Sequence, residues 1–408
     1  MISKMSNNKI PIGWKVETID DCCMILDSKR IPLNSYEREK IKGNIPYYGA
    51  NGIQGFINKH IFNENLILLA EDGGNFGEYQ NKPIAYLISG KSWVNNHAHV
   101  LKNKSDYNLK WIFYSIVHKN ILSFIQGTTR SKLNQSDLKK IMINIPPLNE
   151  QQKIVSILSN VDNTLEKTNQ IIQQIQLLKK GMIQRLFTKG IRHTKFKKIE
   201  WYFGKEFDIP EEWELMKMDN VCHKITDGTH QTPKYMISGN LFLSVKNVRA
   251  NKLLLNSVKY ISAEEHSQLT KRTKPEPLDI LYTKVGTYGL AAVVEDISDF
   301  SIFVSLALLK PNKKLIDSYF LCELMNSPII KSQADLMIKG ISVPDLHLED
   351  IKNFKIFLPS LLEQKRIASI LSNINSQIHK EELYKSNLEL LKKGLMQKLL
   401  TGKIQVKV

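Results

Sequence analysis

The 408-residue chain has little cysteine, few arginines and no long apolar run, and each shortage narrows what it can be. Its four cysteines, Cys22, Cys23, Cys222 and Cys322, are too few and too scattered for a disulfide scaffold. They also lack the CxxC or His pairing of a zinc site, so no bound metal and a reducing, cytoplasmic setting are expected. No stretch approaches the ~18–20 apolar residues of a membrane span. The longest candidate, Phe300 to Leu309, is broken by Ser301 and Ser305. The opening MISKMSNNKIPIGW has neither an apolar core nor a cleavage pattern, so no signal peptide is expected.

Enzyme signatures are missing too, which predicts a chain with no catalytic residues and no cofactor of its own. There is no Walker A loop, no GxGxxG, no Gly-x-Ser-x-Gly elbow, and no Asn-Pro-Pro-aromatic loop of an amino-methyltransferase. Pro344-Asp345 followed by Asp350-Ile351-Lys352 has the letters of a metal-dependent nuclease core. The few residues between them cannot build the strand hairpin such a core needs.

What the chain has in excess is positive charge. Its 57 Lys and Arg outnumber 40 Asp and Glu, giving +17 and a pI near 9.4. That balance points to a polyanionic partner, nucleic acid first and an anionic membrane surface second. Only eight cations are Arg, so base readout must draw on Lys, Asn, Gln, Ser and Thr. Residues 1–200 carry 29 basic and 16 acidic side chains, and residues 201–408 carry 28 and 24, so the excess is uneven. With 42% hydrophobic and 24% charged residues, the composition is that of a folded globular chain.

The strongest signal is an internal repeat. Residues 145–190 align with residues 358–403 at a constant offset of 213, with 19 of 46 positions identical. Upstream, Gly127, Asp137 and Lys139 fall on Gly340, Asp350 and Lys352 in the same register. A second anchor, Ile10-Pro11-Ile12-Gly13-Trp14 against Ile209-Pro210-Glu211-Glu212-Trp213, has an offset of 199. The unit is therefore a whole domain followed by a helix, written twice, with a middle 14 residues longer in the second copy.

The distal segments have helical spacing. Leu158, Val161, Leu165, Thr168, Ile172, Ile175, Leu178 and Met182 form one near-heptad stripe. Leu371, Ile374, Ile378, Leu388, Leu391, Leu395 and Leu399 form another, interrupted by Glu381 and Lys385. Pro147 and Pro359 precede the helices, and Gly190 and Gly402 stand near their ends. About 40 residues at ~1.5 Å each give a rod of roughly 60 Å. Length and duplication predict an antiparallel intramolecular pair.

The middles contain short β-rich runs, at Leu66–Leu69, Ile84–Ile88 and Ala98–Leu101, then at Leu241–Val245, Ile280–Tyr282, Leu290–Val294 and Ile302–Leu309. Helical patterns follow at Leu109–Ile125 and Ile316–Met325. The fold class is α+β: two tandem globular α/β domains alternate with two long helices that pair as an antiparallel coiled coil, with pseudo-twofold internal symmetry. The expected boundaries are residues 1–146 for the first domain and 147–192 for the central helix, then 193–358 for the second domain and 359–408 for the C-terminal helix.

Polar, Gly-rich loops interrupt the strands, where backbone can approach phosphate and short side chains can meet base edges. One such loop is an ordinary turn, but five of them on duplicated domains in a basic chain favour DNA contact. In the first domain the candidates are Tyr48, Asn51, Gly73, Asn75, Lys91, Ser92, Asn95 and Asn96. In the second they are Thr229, His230, Gln231, Lys246, Asn247, Thr283, Lys284, Gly286, Thr287 and Tyr288. Basic clusters extend over Lys179 to Lys198 and Lys392 to Lys407. On the helices, phosphate contact and simple macrodipole balance are equally good accounts of those cations; in the linker Arg192 to Lys198, backbone contact is favoured.

Each helical segment opens on Pro-x-x-x-Glu-Gln-x-x-Ile: Pro146, Glu150, Gln151 and Ile154, then Pro359, Glu363, Gln364 and Ile367. With the duplication and the Pro-x-x-Trp entries, the chain resembles the specificity subunit of type I restriction–modification systems over essentially its whole length. Gly127-Thr128-Thr129-Arg130 and the weaker Gly340-Ile341-Ser342-Val343 fit that family as well, which adds Thr128, Arg130 and Ser342 to the candidates. Ser360 in place of Pro147, and Val343 in place of Arg130, depart from a strict repeat.

The resemblance implies that each domain is a target recognition domain reading half of an asymmetric, bipartite double-stranded DNA site. It implies that the helices set the spacing and seat two modification subunits, with Glu150, Gln151, Ile154, Glu363, Gln364 and Ile367 as the helix and subunit-interface motif. S-adenosylmethionine would then lie on the modification subunits, and ATP and magnesium on restriction subunits. The competing readings are a self-contained DNA-modifying or cleaving enzyme, and a coiled-coil scaffold that reads no bases.

Overall fold

The computed structural model describes residues 10–127, 131–201, 206–295, 299–339 and 343–407. The candidates Thr128, Arg130 and Ser342 lie outside these. The chain divides into two compact units: residues 1–169 with 383–408, and residues 170–382. Each unit therefore contains one globular domain and a half of each long helix, whereas the sequence boundaries keep every helix whole.

The long helices run Leu148–Lys189 and Leu361–Leu399, so their starts keep the 213 offset. Within the first unit, the first helix rises as the second falls: Val406 donates its N–H to Glu150, while Lys392 pairs with Asp162 at 2.5 Å. Within the second unit, Ile191, just past the end of the first helix, donates to Glu363 at the start of the second at 2.8 Å. Both halves are thus antiparallel, as the duplicated stripe implies.

The stripe is correct at Leu158, Thr168, Ile172, Leu371, Ile374, Leu388 and Leu399, which are buried. It fails at one position in both copies. Leu178 and Leu391 are 56% and 51% exposed, and their neighbours Leu177 and Leu390 are 72% and 67% exposed. Periodicity alone assigned these leucines to the pair, but the structure turns them outward.

Both domains are built on one plan. In the first, an antiparallel sheet runs in the order Cys23–Ile25, Ala98–Asn103, Leu66–Ala70, Ala85–Ile88. In the second, the order is Cys222–Asp227, Leu306–Pro311, Ile280–Thr283, Ala291–Val293. A second, mixed sheet accompanies each, with one parallel pair: Lys42–Gly49 with Lys91–Val94, and Asn240–Leu243 with Phe300–Ile302. The expected run Ile302–Leu309 is in fact two strands in different sheets, parted by a turn that carries Ser305. The helix expected over Leu109–Ile125 stops at Ile116, and the second domain adds Pro328–Met337 after Ser318–Met325.

One ladder unites the two repeat offsets. The entry strand Lys15–Thr18 pairs with Met142–Ile145, with Lys15 opposite Ile145. Its equivalent, Glu214–Lys217, pairs with Lys355–Leu358, with Glu214 opposite Leu358. The 199 and 213 registers therefore meet as partners across the strand that leads into each long helix.

Apolar burial closes each unit around that helix. In the first, Trp14, Trp111 and Leu138 pack with Ile154, Val155 and Leu158 of one helix and Met396 and Leu399 of the other. In the second, Trp213, Phe320 and Phe354 pack with Leu186, Phe187, Ile367 and Leu371. At ~25 cal/mol per Å² of apolar area, such burial is the main force fixing each domain to its helices.

Candidate nucleic-acid interface

The Glu-Gln motif of each helix is an internal brace. Trp14 donates its indole N–H to Glu150 at 3.0 Å, and Trp213 donates to Glu363, also at 3.0 Å. Gln151 accepts from the backbone N–H of Asn108 at 3.0 Å and donates to the carbonyl of Pro146 at 2.9 Å. Gln364 repeats this with Asp317 at 2.8 Å and Pro359 at 2.8 Å. Asn108 and Asp317 are the N-caps of Leu109–Ile116 and Ser318–Met325. The glutamine therefore ties a domain helix to the long helix at the point where its free N–H groups need partners. Gln151, Gln364, Ile154 and Ile367 are buried, as is Glu150, so these residues face their own chain. The sequence shows Trp14 and Trp213 as the repeated entry anchor, but not that each reaches a Glu-Gln motif 136 or 150 residues further along.

Hydrogen bonds draw the loops of each domain together. In the first, Asn51 donates to the Gly73 carbonyl at 2.9 Å, and the Asn95 N–H donates to the Tyr48 carbonyl at 3.0 Å. Glu71 donates from its backbone to His97 at 2.9 Å, and Gly73 to Ser131 at 3.2 Å. In the second, Gly286 donates to Pro344 at 2.8 Å, Lys284 to Ser305 at 3.0 Å and Val304 to Thr229 at 2.9 Å. The 213 offset thus reaches the loops themselves, because Gly73 and Ser131 fall on Gly286 and Pro344. Gly73 and Gly286 both hold left-handed backbone, with φ of 63° and 74°, and a Cβ at either would meet open space. That conformation, not crowding, is what selects glycine there.

Beneath the loops lies a buried ionic cluster in each domain. In the first, Asp27 accepts from His99 at 2.6 Å and from the Val100 amide at 2.9 Å. Arg30 meets Glu71 at 2.6 Å, and Lys132 meets Glu71 at 3.3 Å. Burial pushes the Asp27 carboxyl up, but the His99 bond and charge, the Val100 amide and Arg30 outweigh it and hold the group below its ordinary range. The other His99 ring nitrogen faces the Leu133 carbonyl at 2.8 Å, so both ring nitrogens are engaged. Asp27, Glu71 and His99 are near enough to share a cation. Their ligand atoms are already taken up by Arg30, Lys132, Val100 and Leu133, so the set is a charge-balanced brace.

In the second domain, Lys284 lies between Asp227 at 3.7 Å and Asp345 at 3.6 Å, and Arg272 meets Asp227 at 2.8 Å. The aspartate of the nuclease-like letters is thus half of an ion pair.

The candidates separate by burial. Asn51, Gly73, Lys91 and Asn96 are exposed in the first domain, as are His230, Gln231, Lys246, Gly286 and Thr287 in the second. Tyr48, Asn75, Thr229 and Tyr288 are half-buried, with Asn75 donating to Pro83 and Tyr288 to Asp335. Five candidates are corrected: Ser92, Asn95, Asn247, Thr283 and Lys284 are interior. Asn247 donates to Leu254 and Ser257, Thr283 accepts from Leu290, and Asn95 donates to Gln54, so these side chains shape the loops from within. In the linker, Lys198 pairs with Glu206 and Lys197 donates to the Glu211 carbonyl, so both have intrachain partners.

Two domains of one plan, each with its polar loops bonded together and its own brace to a long helix, define a duplicated recognition chain built on paired helices. The model for the type I restriction modification DNA specificity domain matches residues 11–177 and 210–388, and the chain belongs to that family. It is 31% identical to the Type I restriction enzyme MjaVIII specificity subunit of Methanocaldococcus jannaschii, over 99% of this chain and 96% of that one. It is 28% identical to a putative specificity subunit of Haemophilus influenzae, over 90% and 88% of the two chains. Among solved structures, the S subunit from M. genitalium superposes with a TM-score of 0.62 at 17% identity, covering 97% of this chain and 98% of that one. Among the described residues, no helix is long and apolar enough to cross a membrane.

Proposed function

We propose that the chain is the non-catalytic DNA-specificity subunit of a type I restriction–modification complex. One recognition domain reads each half of a bipartite, asymmetric target. The observation that carries this reading is the loop framework: the Gly73–Ser131 backbone bond of the first domain recurs as Gly286–Pro344 in the second, while the loop sequences differ. A common frame with different side chains is what two half-sites of different sequence require. Half-sites about one helical turn apart, ~34–36 Å, would show both domains the same groove face.

Modification subunits carrying S-adenosylmethionine would methylate adenine, and restriction subunits would bring ATP and magnesium; the partner chains would supply the chemistry. The exposed Leu177-Leu178 and Leu390-Leu391 pairs favour two copies of one partner, because the same apolar step recurs at equivalent positions of both helices. Footprinting of the assembled complex tests the reading. Two short protected tracts separated by an indifferent gap are expected; a single continuous tract, or cleavage by the isolated chain with magnesium, would oppose it.

A further inference from the structure

Equivalent positions on the two helices differ in a way that opens a cavity. In the first unit, Asp162 accepts from the Tyr114 hydroxyl at 2.6 Å and pairs with Lys392 at 2.5 Å, so its charge is answered. The 213 register places Asn375 at the position of Asp162 and Lys179 at that of Lys392, while Glu323, six residues past the N-cap Asp317 as Tyr114 is past Asn108, takes the place of Tyr114. The acid has moved from the long helix to the domain helix.

Glu323 is 5% exposed, and one carboxylate oxygen accepts from Asn375 at 2.6 Å. Among the described residues, its other oxygen is buried without a hydrogen-bond partner. Beside it is a cavity of about 460 Å³ lined by Lys179, Lys252, Glu295, Glu323, Asn375 and His379, among others. A buried carboxylate oxygen left unsatisfied is costly and calls for a donor.

We propose that this cavity is a binding site for a cationic nitrogen group, a guanidinium or alkylammonium, seated on the free oxygen of Glu323. Lys179 and Lys252 at the lining suit a guest that also carries an anionic or carbonyl group farther from Glu323. The guest is either a free small base or an Arg or Lys side chain of a partner subunit; the second source rests on the function proposed above.

Calorimetric titration of the full chain with L-arginine, which has a guanidinium at one end and a carboxylate at the other, tests the site. One saturable event is expected, weakened about tenfold or more in Glu323→Gln and unchanged in Asp162→Asn, with thermal melts confirming that both variants fold. Arginine binding that persists in the complex with the modification subunit assigns the site to a free base. Binding lost on assembly, together with weaker assembly of Glu323→Gln, assigns it to a partner's side chain. No saturable binding, equal binding by Glu323→Gln, or binding that emerges only in Lys179→Met overturns the proposal; the last would show Lys179 itself occupying the oxygen.

Discussion

Lys284 stands 3.6 Å from Asp345 in the second domain, and the residues at the same register in the first, Glu71 and Lys132, meet at 3.3 Å with their charges exchanged. The pair closes the loop that carries Gly286 or Gly73 onto the segment leading to the long helix. An exchange of sign that keeps the contact identifies the pair as part of the common frame. The two pairs are unequal in environment, because the Lys284 side chain is 6% exposed and that of Lys132 is 48% exposed.

Removing the buried cation is therefore the graver change. Lys284→Met should cost ~2–4 kcal/mol, since it removes the buried cation from Asp227, leaving it the exposed Arg272 and His230, and takes from Asp345 its Lys284 partner. Lys132→Met should cost under ~1 kcal/mol. Urea denaturation of both variants measures the difference, and equal losses would refute the account of burial.

The two braces should also respond unequally. Glu363 keeps the Ile191 amide at 2.8 Å and His193 at 2.9 Å when Trp213 is changed to Phe. Among the described residues, Glu150 keeps only the Val406 amide, at 3.3 Å, when Trp14 is changed to Phe. Trp14→Phe is expected to destabilise by ~1–3 kcal/mol and Trp213→Phe by about half that, as read from denaturant midpoints.

Gly286→Val should impair recognition of one half-site while leaving folding and helix pairing intact. Its Cβ meets nothing, so the effect comes from forcing a β-branched residue into left-handed backbone, a penalty of roughly 1–2 kcal/mol that moves the loop. Methylation by the reconstituted complex at targets altered in one half or the other reports it; unchanged specificity would remove Gly286 from the reading surface.

Acid should act partly through Asp27. Its carboxyl is held below the ordinary value, so its stabilisation is complete above the unfolded value of ~3.9 and is lost as pH falls through the lower folded value. Asp27→Asn should lower stability at neutral pH and flatten the loss below pH ~4, which denaturation at a series of pH values would record.

The thiols should be inert in the native state. Burial first, with the neighbouring acids adding to it at Cys222, pushes Cys23 and Cys222 up to about 12. Maleimide at pH ~8 meets almost no thiolate under those conditions, so labelling should be slow until denaturant releases all four cysteines.

Much of this was legible in the sequence where the signal was repetition. The offsets of 199 and 213 identified the domain-plus-helix unit, and the observed ladder joins them at Lys15 with Ile145 and Glu214 with Leu358. What stayed hidden depended on contacts across the chain. Ser92, Asn247 and Lys284 look like solvent-facing loop residues because their polarity is visible and their buried partners are not. Leu178 and Leu391 look like seam residues because a heptad cannot tell which helix face lacks a neighbour. The move of an acid from Asp162 to Glu323 becomes visible only when both helices are seen against their domains.

The most direct test of the central claim is a map of methylated adenines across the genome of a strain carrying this chain with its modification and restriction partners. Two short, unrelated sequences separated by a fixed, indifferent gap are the predicted result, with Gly286→Val relaxing only one of them. A palindromic or uninterrupted motif, or a pattern unchanged by replacing either domain, would contradict it.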